Sequence, residues 1–174
     1  MFKRLFNNMF KKILMILALA APAACGAAAQ EPAVSDTVEN VAETGFSAFS
    51  YQGFDMLVPA GSQVEMTGKE AVLKTDDHRY GLSLKIETEA DASPEAAAQL
   101  CSRMISELNI KNAQLNRVMI HGMAGGRLQG TIEGALINVV VLDASRRYVK
   151  LIIITSPDLA SWADRTIDSL APSR

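Results

Sequence analysis

Residues 127–155 read RLQGTIEGALINVVVLDASRRYVKLIIIT and contain three apolar segments separated by two short polar turns. The first segment, 127–133, alternates apolar and polar residues, which is typical of a strand with one buried face. Segments 137–142 and 149–154 are apolar at nearly every position, so they are predicted to be central strands, or strands whose second face is covered. Turns this short indicate antiparallel neighbours, because parallel strands need a crossover of about a dozen residues.

Further strands are predicted upstream of this region. Segments 54–58, 71–75, 81–88 and 115–121 are rich in β-branched and large apolar residues and are bounded by turn residues. The residues between the second and third of these segments, Asp76-Asp77-His78-Arg79, are typical of a hairpin connection. We therefore expect His78 to lie in a solvated turn rather than in a metal site, because adjacent carboxylates in a hairpin point in different directions.

Two helices are predicted from a repeated start signal, Ser93-Pro94-Glu95 and Ser156-Pro157-Asp158. The serine can cap the helix, the proline sits where no amide is needed, and the acid favours the positive helix end. Asn109 is a plausible end for the first helix. Apolar or small residues then follow at helical spacing, and they are Ala97, Leu100, Cys101, Met104, Ile105 and Leu108 in the first helix and Leu159, Trp162, Ala163, Thr166, Ile167 and Leu170 in the second.

These elements predict an α+β domain, a twisted antiparallel sheet of six to seven strands packed with two helices. Their order along the chain is βββ-α-ββββ-α. The domain is predicted to cover residues 46–174. It follows a flexible acidic lead-in, residues 30–45, that has no large apolar face.

The first 29 residues have the order of a secretory signal, with a basic start, an apolar run and small residues before Gln30. Cleavage is predicted before Gln30, and either Met1 or Met9 can be the true start. Ala23-Ala24-Cys25-Gly26 offers an alternative, since it is similar to a bacterial lipobox in which Cys25 carries a lipid, but Pro22 stands where that motif has an aliphatic residue. The protein is therefore predicted to be exported, to the periplasm or the medium, and membrane-bound only if Cys25 is lipidated.

The charge of the exported part argues against a nucleic-acid partner. Four of the 17 basic residues and none of the 19 acidic residues precede Gln30, which leaves 13 basic and 19 acidic residues after it. A nucleic-acid-binding domain usually shows a clustered basic excess. The expected partner is an unknown protein or small-molecule ligand of the cell envelope.

The sequence GFDMLVP at 53–59 is similar to the opening strand of the PsbP-like and DcrB-like superfamily. An early hairpin, a middle helix, Gly122 before a long meander, Tyr148 in the last strand and a closing helix extend the resemblance over residues 51–170. Ser62 departs from it, since the superfamily often has tryptophan shortly after the proline. The resemblance implies a small exported or lumenal accessory protein, and it supplies no shared catalytic centre.

Few residues suit catalysis or metal binding. Met119, His121 and Met123 are spaced by two and share one face if their strand stays regular, which would give two thioethers and an imidazole for Cu(I). Gly122 can interrupt that regularity, and methionines also fill gaps in cores. Cys101 lies in the apolar stripe of the first helix, so we expect a buried and unreactive thiol.

No nucleophile elbow, S-x-x-K motif or P-loop is present in the sequence, and no cofactor is predicted. The sequence therefore favours an exported, non-catalytic accessory protein that binds a partner or ligand, with no catalytic residues. Two alternatives remain open at this point. One is an envelope enzyme with an unrecognised cleft, and the other is a copper-handling protein that uses Met119, His121 and Met123.

Overall fold

The computed structural model describes residues 40–41, 45–67 and 69–173. These ranges contain eleven strands and two α-helices. In chain order they are β1 (Asn40–Val41), β2 (Phe46–Tyr51), β3 (Phe54–Pro59), β4 (Gln63–Thr67), β5 (Glu70–Lys74), β6 (Tyr80–Thr88), α1 (Pro94–Glu107), β7 (Lys111–Ile120), β8 (Met123–Ile132), β9 (Ala135–Asp143), β10 (Arg147–Thr155), α2 (Ala160–Ser169) and β11 (Ala171–Pro172).

Seven strands form the main sheet, in the order β4-β5-β6-β10-β9-β8-β7, with every neighbouring pair antiparallel. Leu151 of β10 pairs with Leu84 of β6 on one side and with Val140 of β9 on the other. β10 therefore joins two meanders, β4–β5–β6 and β7–β8–β9. The strands of this sheet and the two helices confirm the predicted α+β class and the order βββ-α-ββββ-α.

A second, smaller sheet has the order β1-β2-β3-β11. The segment predicted as the first strand of the main sheet forms β3 in this smaller sheet, and β4 takes its place at the edge of the main one. β4 is only five residues long, and its two apolar residues, Val64 and Met66, are exposed, so this segment was not predicted as a strand. The smaller sheet was not predicted.

Both faces of the central strands of the main sheet are buried along most of their length, whereas the edge strand β7 is exposed at nearly every residue. On one face, α1 contributes Ala97, Cys101 and Met104 to a cluster that also contains Leu128 of β8, Val139 of β9 and Ile152 of β10. The other face packs against the smaller sheet and α2, in a cluster that includes Phe54, Val140, Leu151, Ala163 and Ile167. The prediction that β9 and β10 are central strands is confirmed, and the two helices lie on opposite faces of the sheet.

α1 begins and ends at the predicted signals, whereas the second Ser-Pro-Asp sequence begins a 3₁₀ turn in which Ser156 makes no capping hydrogen bond, and α2 begins at Ala160. The Ser93 hydroxyl accepts a hydrogen bond from the amide of Ala96 at 3.2 Å, and Pro94 is the first residue of α1. Asn109 has a left-handed backbone, φ 52°, immediately after the helix cap at Leu108, which is the conformation that commonly ends a helix. Ser156 starts a short 3₁₀ turn, Pro157–Leu159, that leads into α2.

α1 approaches the main sheet closely at Gly126. A Cβ atom placed on Gly126 would lie 2.9 Å from the Cα of Ala98 and 3.3 Å from the Cβ and Sγ of Cys101. Only glycine leaves room for the helix backbone at this distance, so the position fixes how near α1 lies to β8.

Several predictions concern residues outside the described ranges. These are the signal segment 1–29, the cleavage before Gln30 and the lipidation of Cys25. Asn40 and Val41, within the predicted lead-in, pair with Ser47 and Phe46 of β2. The domain boundaries remain predictions. None of the helices in the described ranges is long and apolar enough to cross a membrane.

Candidate binding cleft

Met119, His121 and Met123 do not share a face. β7 ends at Ile120, and His121 and Gly122 form a two-residue hairpin turn with φ values of 45° and 83°. Ile120 pairs directly with Met123, whose side chain is 4% exposed in the core, whereas that of Met119 is 74% exposed. The regular strand that the copper hypothesis required therefore ends at this turn, and the three side chains do not form a ligand set.

The histidines have local contacts in the two hairpins. His121 Nε2 lies 3.0 Å from the backbone oxygen of Asp168, a contact that holds the β7–β8 turn against the end of α2. The turn at His78 is closed by Asp77, whose carboxylate accepts hydrogen bonds from the Thr75 hydroxyl and the Arg79 amide. Within the described residues, no group of three His, Cys, Asp or Glu side chains is placed to hold a metal ion.

The side chain of Cys101 in α1 is fully buried between this helix and the main sheet, as predicted. Its Sγ donates to the backbone oxygen of Gly126 at 3.2 Å. Burial raises the pKa of this thiol to about 12, because the charged thiolate is disfavoured away from water. The residue is therefore part of the helix–sheet contact.

The structure contains a cleft that the sequence did not reveal. α1 packs mainly on β8 and β9, and a space remains beside the helix over the parts of β6 and β10 that carry Glu87 and Tyr148. The resulting space, named here the α1 cleft, has a volume of about 780 Å³. Its floor includes Lys85, Glu87, Tyr148 and Lys150, and its α1 wall is formed by Ala96, Gln99, Leu100 and Arg103.

A carboxylate between two lysines dominates the floor of the cleft. Lys85 and Lys150 are directly paired across β6 and β10. Glu87 contacts the Nζ of Lys85 at 2.6 Å through one oxygen and the Nζ of Lys150 through the other. The side chains are only 16%, 28% and 19% exposed for Lys85, Glu87 and Lys150. Two partly buried cations thus share one anion.

The two carboxyl groups near this floor differ in their acidity. Burial alone would raise the pKa of Glu87, but hydrogen bonds from Lys150 and Lys85 outweigh burial and hold it below its usual value. Glu70 pairs with Lys85 in the neighbouring strand, is 8% exposed, and accepts a hydrogen bond from Ser83. Burial and the charge of Glu87 raise the pKa of Glu70, against the opposing effects of Ser83 and Lys85.

Glu87→Gln should destabilise the fold by about 1–2 kcal/mol near neutral pH, because two partly buried ammonium groups lose their shared counterion. The depressed pKa of Glu87 means that its contribution is present above its ordinary pKa and is lost as the pH falls through the lower, folded value. Urea unfolding at about pH 7 and about pH 3 should show the difference between wild type and variant shrinking in acid.

Glu65→Gln is the matched control for this measurement. The Glu65 carboxylate is 66% exposed and lies 3.8 Å from Lys74, so its removal should change the stability by less than about 0.5 kcal/mol. Equal effects of the two substitutions would show that the three-residue contact on the cleft floor has no special energetic role.

The cleft had a weak signal in the sequence. Lys150 is a single cation within an otherwise apolar run, YVKLIIIT. Lys85 and Glu87 occupy the polar positions of an alternating strand, a pattern that is typical of an ordinary solvated face. The pairing of Lys85 with Lys150 depends on which strands become neighbours, and this information is absent from either segment alone.

Comparison by sequence finds no matching protein family and no matching curated protein. Solved structures do match. The solution structure of the cyanobacterial PsbP protein CyanoP from Synechocystis sp. PCC 6803 aligns with a TM-score of 0.58 and 15% identity, over 79% of this chain and 98% of that one. This chain therefore has a PsbP-like fold, as its sequence resemblance suggested.

Two further structures align less well. A crystal structure from Bacteroides thetaiotaomicron has a TM-score of 0.48 and 14% identity, and covers 70% of this chain and 46% of that one. LpqN of Mycobacterium tuberculosis, described as involved in cell envelope biogenesis, has a TM-score of 0.47 and 14% identity, and covers 79% of this chain and 90% of that one.

Proposed function

We propose that this protein is an exported, non-catalytic accessory module that binds a partner or ligand through the α1 cleft. The observation that carries this proposal is the cleft itself, with its polar floor beside one wall of α1. Concave sites that combine apolar surface with a few converging polar groups are the usual places for ligand binding. The PsbP-like fold and the signal-like segment 1–29 are consistent with a role outside the cytoplasm.

The chemistry of the cleft supports binding rather than turnover. Catalysis by a nucleophile or a general base needs such a group within hydrogen-bond reach of the reacting atoms. Of the carboxylates that line the described cleft, Glu87 is paired with Lys85 and Lys150, and its lowered pKa makes it a weak base. Glu89 and Asp91 are exposed to solvent at one end of the cleft. Cys101 bonds to Gly126 beneath α1 and does not line the cleft. The charged floor is suited to recognising a polar partner.

The exported chain is expected to retain a partner or ligand from an envelope extract. Arg103→Glu should change the retained amount by about tenfold, which corresponds to about 1.4 kcal/mol in binding free energy. Arg103 lies on the α1 wall, so reversal of its charge alters the cleft without removing a core contact. Quantitative mass spectrometry of cross-linked, captured material measures the change.

Arg117→Glu provides the matched control. Arg117 is an exposed arginine of β7 outside the cleft, and within the described part of the chain neither arginine forms a salt bridge. Identical retention by the two variants would contradict the proposal. An activity screen provides a second test, since a turnover abolished by Glu87→Gln would assign the cleft to an enzyme instead.

A further inference from the structure

The two lysines on the floor of the α1 cleft have hydrogen-bond donors that the described residues do not use. Within these residues, Lys85 and Lys150 each form a hydrogen bond or ion pair only with Glu87. An ammonium group carries three N–H donors, so two donors on each lysine remain for an acceptor that enters the cleft. The two side chains are only 16% and 19% exposed, and a partly buried cation favours a charged oxygen as its acceptor.

Two further cations line the same cleft. Lys69 directly precedes Glu70, which pairs with Lys85 across β5 and β6. Arg103 lies on the α1 wall. Both residues are exposed, and neither forms a salt bridge in the part of the chain that the structure describes. The cations of the cleft thus come from the start of β5, from β6, from β10 and from α1, so they border it on several sides.

Two acids of the cleft are confined to one end of it. Glu89 and Asp91 are exposed on the loop that leads from β6 to α1. Lys85 lies three residues before the end of β6, about 10 Å along a strand. Arg103 lies nine residues beyond the start of α1, about 13 Å along a helix. Both separations exceed the Debye length of about 8 Å at physiological ionic strength, so these acids are largely screened from the two cations.

Two other acids lie near the cations but do not line the cleft. Glu70, beside Lys85, is buried and accepts a hydrogen bond from Ser83, and burial raises its pKa, which disfavours its charged form. Glu107 follows Arg103 by one turn of α1 and is exposed, with no salt bridge to it in the described ranges. Away from the loop end, the described lining of the cleft therefore holds four cations and one carboxylate.

The cleft also has the size and the apolar surface of a small-molecule site. Its volume of about 780 Å³ falls within the usual range of about 300–1,000 Å³. Leu100 lies on the α1 wall, and Tyr148 lies on the floor beside the lysines. This combination suits a short carbon skeleton that carries more than one acid group.

We infer that the α1 cleft binds a small organic polyanion, with one acid group over the Lys85 and Lys150 pair and a second acid group toward Arg103. The inference rests on the proposed function, in which this cleft is the binding site. The lysines supply point charges, and the guanidinium of Arg103 can hold a carboxylate or a phosphate through two parallel hydrogen bonds. Polycarboxylates and organic phosphates share this chemistry, whereas a molecule with a single carboxylate can satisfy only one of the two positions.

Titration of the full exported chain, followed by its ¹⁵N amide shifts at about 0.15 M salt, tests the inference. Citrate is the polycarboxylate, 3-phosphoglycerate is the organic phosphate, and acetate is the control with a single carboxylate. Citrate or 3-phosphoglycerate should shift the amides of Lys85, Lys150 and Arg103 saturably and bind at least about tenfold more tightly than acetate. The tighter of the two identifies the class of acid. If neither shifts these amides saturably, or if acetate binds equally well, the inference is wrong.

Two pairs of variants with equal loss of charge locate the binding. Arg103→Gln should weaken binding of the polyanion about tenfold, since a charge-assisted contact is lost, and Lys69→Gln about threefold, as for an exposed ion pair. Arg117→Gln and Lys111→Gln are the matched controls, because both residues are exposed on β7 outside the cleft, and they should leave the affinity unchanged. Equal weakening by the cleft variants and their controls would assign the binding to the overall charge of the chain and overturn the inference.

The proposed function is judged independently by the retention assay with Arg103→Glu and Arg117→Glu. Retention that depends on Arg103, together with no binding of citrate or 3-phosphoglycerate, would remove only the inference and leave the cleft as the site of another kind of partner. Failure of both assays would remove the inference and the proposed function together. Circular dichroism of each variant shows that a lost interaction does not come from a lost fold.

Discussion

Gly126→Val should lower the free energy of unfolding by about 3 kcal/mol, at the upper end of the usual cost of overpacking. The new Cβ would meet the Cα of Ala98 at 2.9 Å and the side chain of Cys101 at 3.3 Å. The first of these atoms belongs to the helix backbone, so relief requires α1 as a whole to move away from β8. For a domain of this size the expected fall in Tm is about 10 °C, measured by circular dichroism.

Ala113→Val is the matched control, since it enlarges an exposed side chain on β7, in the strand next to β8. We expect it to change the stability by less than about 0.5 kcal/mol. If Gly126→Val has the same small effect, α1 does not lie as close to the sheet as described.

Alkylation of Cys101 in the folded protein should be at least about a thousandfold slower than that of an exposed thiol near neutral pH. Burial raises its pKa from an ordinary 9.0 to about 12, which lowers the thiolate fraction by about three powers of ten. Its rate should therefore continue to rise about tenfold per pH unit beyond the point at which an ordinary thiol levels off. Maleimide labelling that is quenched at successive times and measured by mass spectrometry gives both the rate and its dependence on pH.

Ser102→Cys in a Cys101→Ala background supplies the exposed thiol for comparison, at the next position of the same helix. Equal labelling rates for the two cysteines in the absence of denaturant would show that this face of α1 is open to solvent. Gly126→Val should accelerate the labelling of Cys101, because both residues belong to one contact.

The sequence contained most of what determines the main sheet. β9 and β10 are apolar on both faces, so both faces had to be buried. The two Ser-Pro-acid sequences marked where α1 and the turn before α2 begin. β4 was missed because it is short and exposed, although it pairs locally with β5. The smaller sheet was missed in part because it joins segments that are far apart in the chain. β11, for example, pairs Ala171 with Asp55.

The functional residues were harder to predict for two physical reasons. The Met119, His121 and Met123 hypothesis assumed period-two geometry through a hairpin turn, although Gly122 marked the position at which that geometry ends. The cleft depends on the pairing of Lys85 with Lys150 and on the part of the sheet that α1 leaves open. Neither the strand pairing nor the open part of the sheet can be inferred from the sequence of one strand alone.

The central position of β10 has a consequence for how the protein matures. The strands β4, β5 and β6 and the strands β7, β8 and β9 can each pair locally, but β10 is the one strand in the described main sheet that touches both groups. A chain that emerges from a ribosome or a membrane channel with its N-terminus first must expose residue 155 before the two groups can join. Until then the edges of β6 and β9 lack their final neighbour, and unpaired edges of this kind bind other strands readily. Completion of this sheet is thus timed by the release of β10.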